Sequence, residues 1–517
     1  MNDLIRAHTS DGRVVTARPD PDLTLAQALF LAGPFRGLPL CSGLGRCGLC
    51  RVRYVSDPPA ILAAEEKRLS AKDLKAGWRL SCLRPAAPCE IALPDVQAAQ
   101  PLASRLGSAA GPLTLAVDLG TTSLHWTALN QGQAVARGRE LNPQMGLGSE
   151  VMSRLAFAAK PQGAQTLRNL VVERLRDIAR GLPGPLESLV LAGNPAMTLL
   201  ALGLDSAGLR AAPYRLDYAG GDTRELAPDL PPAFIPPLLA PFVGADLSAG
   251  LAALLLAPGA APQFPFLLAD LGTNGEFVLA LSPEKLLCAS VPLGPALEGV
   301  GLRFGRTAGP GAVESFHLGP NGPVAHCIDG ANNADQTPGL TGPAYLSLAS
   351  LLLGSGLLEP LGRFAQPSTP LAQKLAAGLC TEGGEPAFRI FDGVHLLASD
   401  IEEILKLKAA FNLAFSRLLA EAGLAPSDLA AVHLAGAVAE HTRPSDLERL
   451  GFLPSGLLPR VQVAGNTSLA GAELLAANPD ARRSVLDLPA RVRAIDLTAE
   501  TDFQNRYLER MIFAHVP

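Results

Sequence analysis

Two stretches of this chain follow one pattern. LTLAVDLGTTSLHWTALN (113–130) and FLLADLGTNGEFVLA (266–280) each run along an apolar strand into Asp-x-Gly-Thr, turn, and leave along a second strand. Their aspartates, Asp118 and Asp270, stand 152 positions apart. A turn built from Gly120, Thr121 and Thr122, or from Gly272, Thr273, Asn274 and Gly275, offers backbone N–H groups and hydroxyls to an anion. The aspartate beside it can hold Mg2+ through water. Turn capping accounts for one such aspartate. The recurrence is accounted for more simply by an internal duplication, in which two lobes face each other and grip one polyphosphate from both sides. A third element, LAAVHLAGAVAEHT (429–442), leads from a strand into a small-residue turn at Gly436, where a missing Cβ lets a helix N-terminus approach a nucleotide. Glu276, just past Asn274-Gly275, is either a surface strand residue or a group that orients water or metal.

A different chemistry is written near the start. CSGLGRCGLC (41–50) holds three cysteines and three glycines, and Cys82 follows in GWRLSCLRP, giving C-x5-C-x2-C-x31-C. The opening MNDLIRAHTSDGRVVTARP has no apolar h-region, so a reducing, cytoplasmic setting is expected, where clustered thiols bind metal or do redox chemistry. Four thiolates suit an iron-sulfur cluster, and Gly43, Gly45 and Gly48 suit a loop that turns its N–H groups toward sulfur. A zinc site is the competing account, but zinc ligands usually come as two close pairs, and Cys82 is followed only by Cys89 at x6. Cys288, Cys327 and Cys380 lie far apart and read as small buried hydrophobes. Around the cluster loop, VVTARP reads as the second arm of a hairpin, LTLAQALFLAG as a helix and RVRYV as a strand. This segment resembles the β-grasp [2Fe-2S] ferredoxins, with the five-residue first gap of the vertebrate and bacterial hydroxylase types. The resemblance assigns Cys41, Cys47, Cys50 and Cys82 as cluster ligands.

The organisation expected is therefore a ferredoxin-like domain at 1–95, an Ala/Gly/Ser/Pro-rich linker at 96–112 and an α/β ATPase-like domain of two lobes at 113–517. With 48% hydrophobic residues and a net charge of -5, the chain has ample core material and no electrostatic pull toward nucleic acid. GLTGPAYLSLASLLLGSGLL (339–358) is uncharged and of spanning length, yet Gly, Pro, Ser and Thr interrupt it, so it reads as a loop and a buried helix rather than a membrane segment. IEEILKLKAAFNLAFSRLLAEAGL (401–424) reads as a packed helix, His433 as a core histidine, and Asn194 and Asn466 first as turn formers.

The two DLGT hairpins and the HLAGA turn resemble the phosphate-1, phosphate-2 and adenosine motifs of the actin, sugar kinase and Hsp70 ATPase superfamily, a duplicated ribonuclease H-like fold. Further motifs resemble a narrower group: NPQ (142–144) with SEVMSRL, AGNPAM (192–197), FVGADLSAGL (242–251), GPALEG (294–299), PGAVESF (310–316) and GNTSLAGA (465–472). These are similar to the ATP-dependent reductive activators of corrinoid proteins. Departures stand out: the segment of 17 residues at 96–112 separates the two parts where some activators carry an extra domain, PGLTGP (338–343) replaces a Gly-Ile-Cys-Gly-Ser-Gly-like loop, and Gly436, Ala437, Val438 and Ala439 replace Gly-Gly-Phe-Gly. The resemblance implies Asp118, Asp270 and Glu276 as catalytic groups, and Gly120, Thr121, Thr122, Gly272, Thr273, Asn274, Gly275, Gly436, Gly465 and Asn466 around ATP and Mg2+. It implies one-electron reduction of Co(II) to Co(I) in a corrinoid protein or cobalamin-dependent methyltransferase, fed by an upstream low-potential electron donor, and it leaves room for a homodimer. Transfer to a lower-potential acceptor is uphill by about 1.4 kcal/mol per 59 mV, which is a reason to join a redox centre to an ATPase. A small-molecule phosphotransferase with a redox-sensing ferredoxin, and an activator of another low-potential enzyme such as a 2-hydroxyacyl-CoA dehydratase, are the competing functions.

Overall fold

The computed structural model describes residues 3–95, 101–108, 111–259, 262–320, 322–328, 339–497 and 502–517. At the N-terminal end, Val14–Ala17 pairs antiparallel with Ile5–His8, which pairs parallel with Cys89–Ala92. Arg51–Tyr54 and Trp78–Leu80 complete this five-stranded sheet. Ile5, Ala7, Val52, Leu80 and Ile91 point inward, while Arg6, Arg51 and Arg53 between them face solvent, the period-two alternation of a sheet covered on one side. The cover is the helix Leu25–Ala32. Thr24 accepts from the Gln27 N–H while the Gln27 side chain accepts from the Thr24 N–H, a reciprocal cap that fixes where the helix starts.

Two larger sheets follow, built on one plan. In the first, the meander Leu113–Leu119, Ser123–Asn130 and Gln133–Leu141 is joined on the side of its first strand by the parallel strand Leu186–Gly193, then by Ala233–Ile235. In the second, the meander Phe266–Leu271, Asn274–Ser282 and Lys285–Pro292 is joined at the same side by the parallel strands Ala431–Ala435 and Val461–Gly465. Between the sheets the helices Ala245–Leu256 and Thr467–Ala477 cross at close range. Glycine permits that approach: a Cβ at Gly471 would collide with the Ala249 backbone, and one at Gly250 would sit 2.9 Å from the Thr467 hydroxyl. Both helices begin at the cleft between the lobes, which places their first turns at its floor.

Part of the stretch expected to be a linker is structured. Leu102–Arg105 pairs antiparallel with Ala136–Arg139 as the edge strand of the first large sheet. All four of its residues are exposed, so backbone hydrogen bonds alone hold it, which is why no apolar pattern announces it. Residues 96–100 and 109–110 of that stretch lie outside the described residues. The uncharged segment 339–358 forms the helix Gly342–Ser355, capped by Thr341 and buried on nearly every side. Among the described residues no helix is long and apolar enough to cross a membrane.

The helix Ala398–Ala422 anchors the second lobe. Its Phe411 is fully buried and meets Phe277 and Phe452 edge-on, at 5.1 and 5.5 Å between ring centroids. Phe411→Ala is expected to destabilise this lobe by about 3–5 kcal/mol, read as a lower urea midpoint for the transition of residues 265–517.

Candidate functional site

The residues on the two hairpins converge. One cleft is lined by Asp118, Gly120, Thr121 and Thr122 from the first turn, by Asp270, Gly272, Thr273 and Asn274 from the second, and by Glu276, Gly436 and Asn466. The hairpins touch directly: the Thr122 and Thr273 hydroxyls lie 2.8 Å apart, and Thr273 donates onward to Glu298 Oε1 at 2.7 Å. Asn466 caps the helix Thr467–Ala477, and its amide also donates to Asp118 Oδ2 at 2.7 Å; Ser468 donates to the other Asp118 oxygen at 3.0 Å. Asn194 likewise caps Pro195–Leu202 while donating to Thr121 Oγ1 at 2.9 Å. Both asparagines are thus turn formers that also face the cleft. At Gly436, with φ of +90°, a Cβ would stand 2.5 Å from Asp270 Oδ1 and 2.7 Å from the Leu271 carbonyl, so only glycine fits.

Two of the expected residues do not line this cleft. Gly275 instead leaves room for Leu293, whose side chain a Cβ would meet at 2.7 Å. Gly465, in the left-handed region with φ of +67°, uses its carbonyl to accept the Gly436 N–H at 3.0 Å and so shapes the turn from behind.

The cleft gathers five carboxylates, from Asp118, Asp246, Asp270, Glu276 and Glu298, and among the described residues no lysine or arginine lines it. Burial, followed by the like charges of Asp246, Asp118 and Glu298, pushes Asp270 up to about 8. Burial also pushes Asp246 up to about 7 and holds Glu276 well above the carboxylate range. Such a set favours a cation, and hydroxyls with N–H groups beside it favour an anion; a magnesium polyphosphate supplies both. His125 stands directly across the hairpin from Asp118, as Glu276 stands across from Asp270. Desolvation keeps its imidazole toward the neutral form.

The four thiols of the early loop also meet. Cys41, Cys47, Cys50 and Cys82 line one small cavity with Ser42, Gly43 and Gly146. They lie as two neighbouring pairs, Cys41 beside Cys47 and Cys50 beside Cys82. The neighbouring Cys47 holds Cys41 down at about 5, aided by the backbone N–H groups of Cys47, Arg46 and Leu44. Among the described residues no three ligand side chains converge on a single metal ion. An all-sulfur set arranged two and two, on a loop whose Gly43, Gly45 and Gly48 all take positive φ, fits a binuclear iron-sulfur centre better than one zinc ion. Cys89 sits apart on the strand Cys89–Ala92, where burial pushes it up to about 11. Cys288 is fully buried, but Cys327 and Cys380 are only half-buried, near the ends of short surface hairpins.

With this geometry in place, comparison with known proteins is informative. The family described as the C-terminal domain of RACo, the ASKHA domain, matches residues 265–517, and the RACo middle region matches residues 113–257. The chain belongs to this family of reductive activators of corrinoid proteins. The corrinoid activation enzyme RamQ of Eubacterium limosum is 26% identical over 77% of this chain and 70% of its own length. The [Co(II) methylated amine-specific corrinoid protein] reductase of Methanosarcina barkeri is 29% identical over 53% of this chain, which spans half the length of that relative. The solved structure of a reductive activator for corrinoid, iron-sulfur protein superposes with a TM-score of 0.67, over 99% of this chain and 98% of that one, at 19% identity. The fold of this activator chain is accordingly an actin/sugar kinase/Hsp70-type ATPase fold.

Asp246, Glu298, Ser468, Ser123 and His125 line the activator's cleft without having been singled out from sequence. The first three lie inside FVGADLSAGL, GPALEG and GNTSLAGA, motifs that carried the family resemblance while the side chain facing the cleft was not visible. An unfolded aspartate titrates near 3.9, so between about pH 4 and pH 8 the folded, ligand-free chain binds more protons than the unfolded one. Its stability is therefore expected to fall as pH rises through that window and to level off above it. Asp270→Asn should flatten the slope and raise stability at pH 8 by roughly 1–3 kcal/mol, measured by chemical denaturation across the pH range. An unchanged slope would show that Asp270 is not held protonated.

Proposed function

We propose that the chain carries out ATP-dependent, one-electron reductive activation of a corrinoid protein, returning Co(II) to Co(I), with the electron passing through a [2Fe-2S] cluster on a β-grasp ferredoxin domain at residues 1–95. The observation that carries this is the presence, in one chain, of a four-thiol cage and an acidic polyphosphate cleft that share a packed core. The corrinoid-directed activities named for the relatives support it. The shared strand order of the two large sheets supports an internal duplication of the ATPase domain.

In this reading Cys41, Cys47, Cys50 and Cys82 hold the cluster, which supplies one-electron transfer. The thiols lie in a cavity with little water access, and N–H groups directed at Cys41 stabilise negative charge on sulfur. Thr121, Thr122, Thr273 and the turns around them hold the phosphates of ATP. Asp118 and Asp270 would hold Mg2+, which would neutralise phosphate charge, and Glu276 would orient the attacking water. Asp118 is positioned by Asn466 and Ser468, so a shift of the Thr467–Ala477 helix would move Asp118. Nucleotide binding thereby favours one arrangement of the lobes, and that preference offsets an uphill electron transfer.

Cys82→Ser should abolish or strongly alter the cluster's visible spectrum, and Cys89→Ser should leave it intact; the reverse would place the fourth ligand at Cys89. Reduced protein mixed with a Co(II) corrinoid protein should form little Co(I) without nucleotide and at least about tenfold more with MgATP, followed by cobalt absorbance. A downhill acceptor should be reduced equally in both cases. Nucleotide-independent Co(I) formation, or phosphorylation of a small molecule with turnover indifferent to the corrinoid protein, would overturn this reading in favour of a phosphotransferase.

A further inference from the structure

The segment 142–148 lies between the thiol cage and the phosphate turn and is bonded to both. On the nucleotide side, Asn142 donates from its side chain to the Gly120 carbonyl at 2.7 Å and from its backbone to the Thr122 carbonyl at 2.7 Å. Arg154, fully buried, donates to the Thr121 carbonyl and also grips this segment, at Gly148 O (2.8 Å) and Gln144 Oε1 (3.2 Å). The carbonyl face of the turn is thus held by 142–148 and Arg154, leaving its N–H and hydroxyl face to the cleft. Among the described residues no carboxylate lies at ion-pair distance from Arg154, and Glu298 acts on it only through space; its direct partners are carbonyl and amide oxygens and the Met197 sulfur, an arrangement that positions backbone.

On the other side, Ser42, next to Cys41, donates its hydroxyl to the Met145 carbonyl at 2.9 Å. Ser42 adopts φ of +47°, a left-handed conformation that a non-glycine residue keeps only where its surroundings impose it. At Gly146 the backbone lies against the Phe30 ring so closely that a Cβ would overlap it. The contact therefore tolerates little slack.

We propose that segment 142–148 couples the redox state of the thiol cage to the grip of the phosphate turn, with Ser42 and Arg154 as positioning residues at its two ends. The proposal rests on the function proposed above. A change of one charge at Cys41 alters the conformation preferred at Ser42. A phosphate drawn to the N–H face of Gly120–Thr122 pulls on carbonyls that Asn142 and Arg154 hold. One stiff segment transmits either displacement, and linkage makes the effect reciprocal.

The test uses the full-length, cluster-loaded chain and a non-hydrolysable MgATP analogue. Its affinity is measured by titration calorimetry in the air-oxidised and dithionite-reduced states. The wild type should show about a fivefold difference between the two states, the effect of roughly one net hydrogen bond. Ser42→Ala should bring the two affinities to within about 1.5-fold of each other while keeping the oxidised visible spectrum. Ser42→Gly separates hydroxyl from conformation, because glycine takes φ near +47° without strain, and it should lose the difference as well. Equal affinities in the wild type, or a full difference retained in both variants, would overturn the coupling and leave the proposed function standing. Failure of the wild type to assemble a cluster or bind nucleotide would overturn the function and the coupling together.

Discussion

The centre of this molecule answers to five carboxylates that crowd into one cleft with, among the described residues, no lysine or arginine lining it. Left dry and charged, such a group would push the lobes apart; burial and neighbouring like charge push Asp246 and Asp270 up toward neutral pH, and Asn466 and Ser468 donate to Asp118. The same crowding of carboxylates makes the cleft attractive to a cation. Stability is sacrificed locally to keep a polar site open, as sites that bind charged ligands generally require.

The architecture distributes that cost. Two meanders present their turns to each other, and the Thr122–Thr273 contact shows how nearly they meet. Behind them, the crossing of Ala245–Leu256 with Thr467–Ala477 depends on Gly250 and Gly471, and it brings Asp246 and Ser468 to the floor of the cleft from two parts of the chain. The same device recurs at Gly436, whose bare α-carbon allows Asp270 and the strand end Ala431–Ala435 to lie together. Close backbone approach, not side-chain bulk, sets the dimensions of the site.

The N-terminal unit is not a loosely tethered passenger. Its helix Leu25–Ala32 and cluster loop share a continuous apolar core with the first large lobe, and Arg46 reaches Glu403 of the second at 3.0 Å. These contacts place the thiol cage beside Met145, three residues from Asn142, whose side chain donates to the Gly120 carbonyl of the first hairpin turn. Only a few residues therefore separate the thiol cage from the turn Gly120–Thr122.

Much of this was legible in the sequence because it is encoded locally. The hairpins at 113–130 and 266–280, the cysteine spacing, the short helix in LTLAQALFLAG and the packed helix expected over 401–424 are each written within a few turns of chain, where alternation, glycine placement and thiol spacing carry a direct physical meaning. What could not be read depends on juxtaposition. Nothing adjacent in sequence shows that Asp246 and Glu298 complete an acidic ring, that Gly275 serves packing against Leu293 and not the cleft, or that an all-exposed strand at Leu102–Arg105 closes a sheet edge. The same holds for Ser42, Asn142 and Arg154, whose partners lie 103, 22 and 33 residues away. The sequence by itself determined which chemistries the chain carries, because thiols, carboxylates and glycine turns are properties of residues. Only the tertiary structure decided which of them act on one another, because desolvation and hydrogen bonding depend on distances that folding creates.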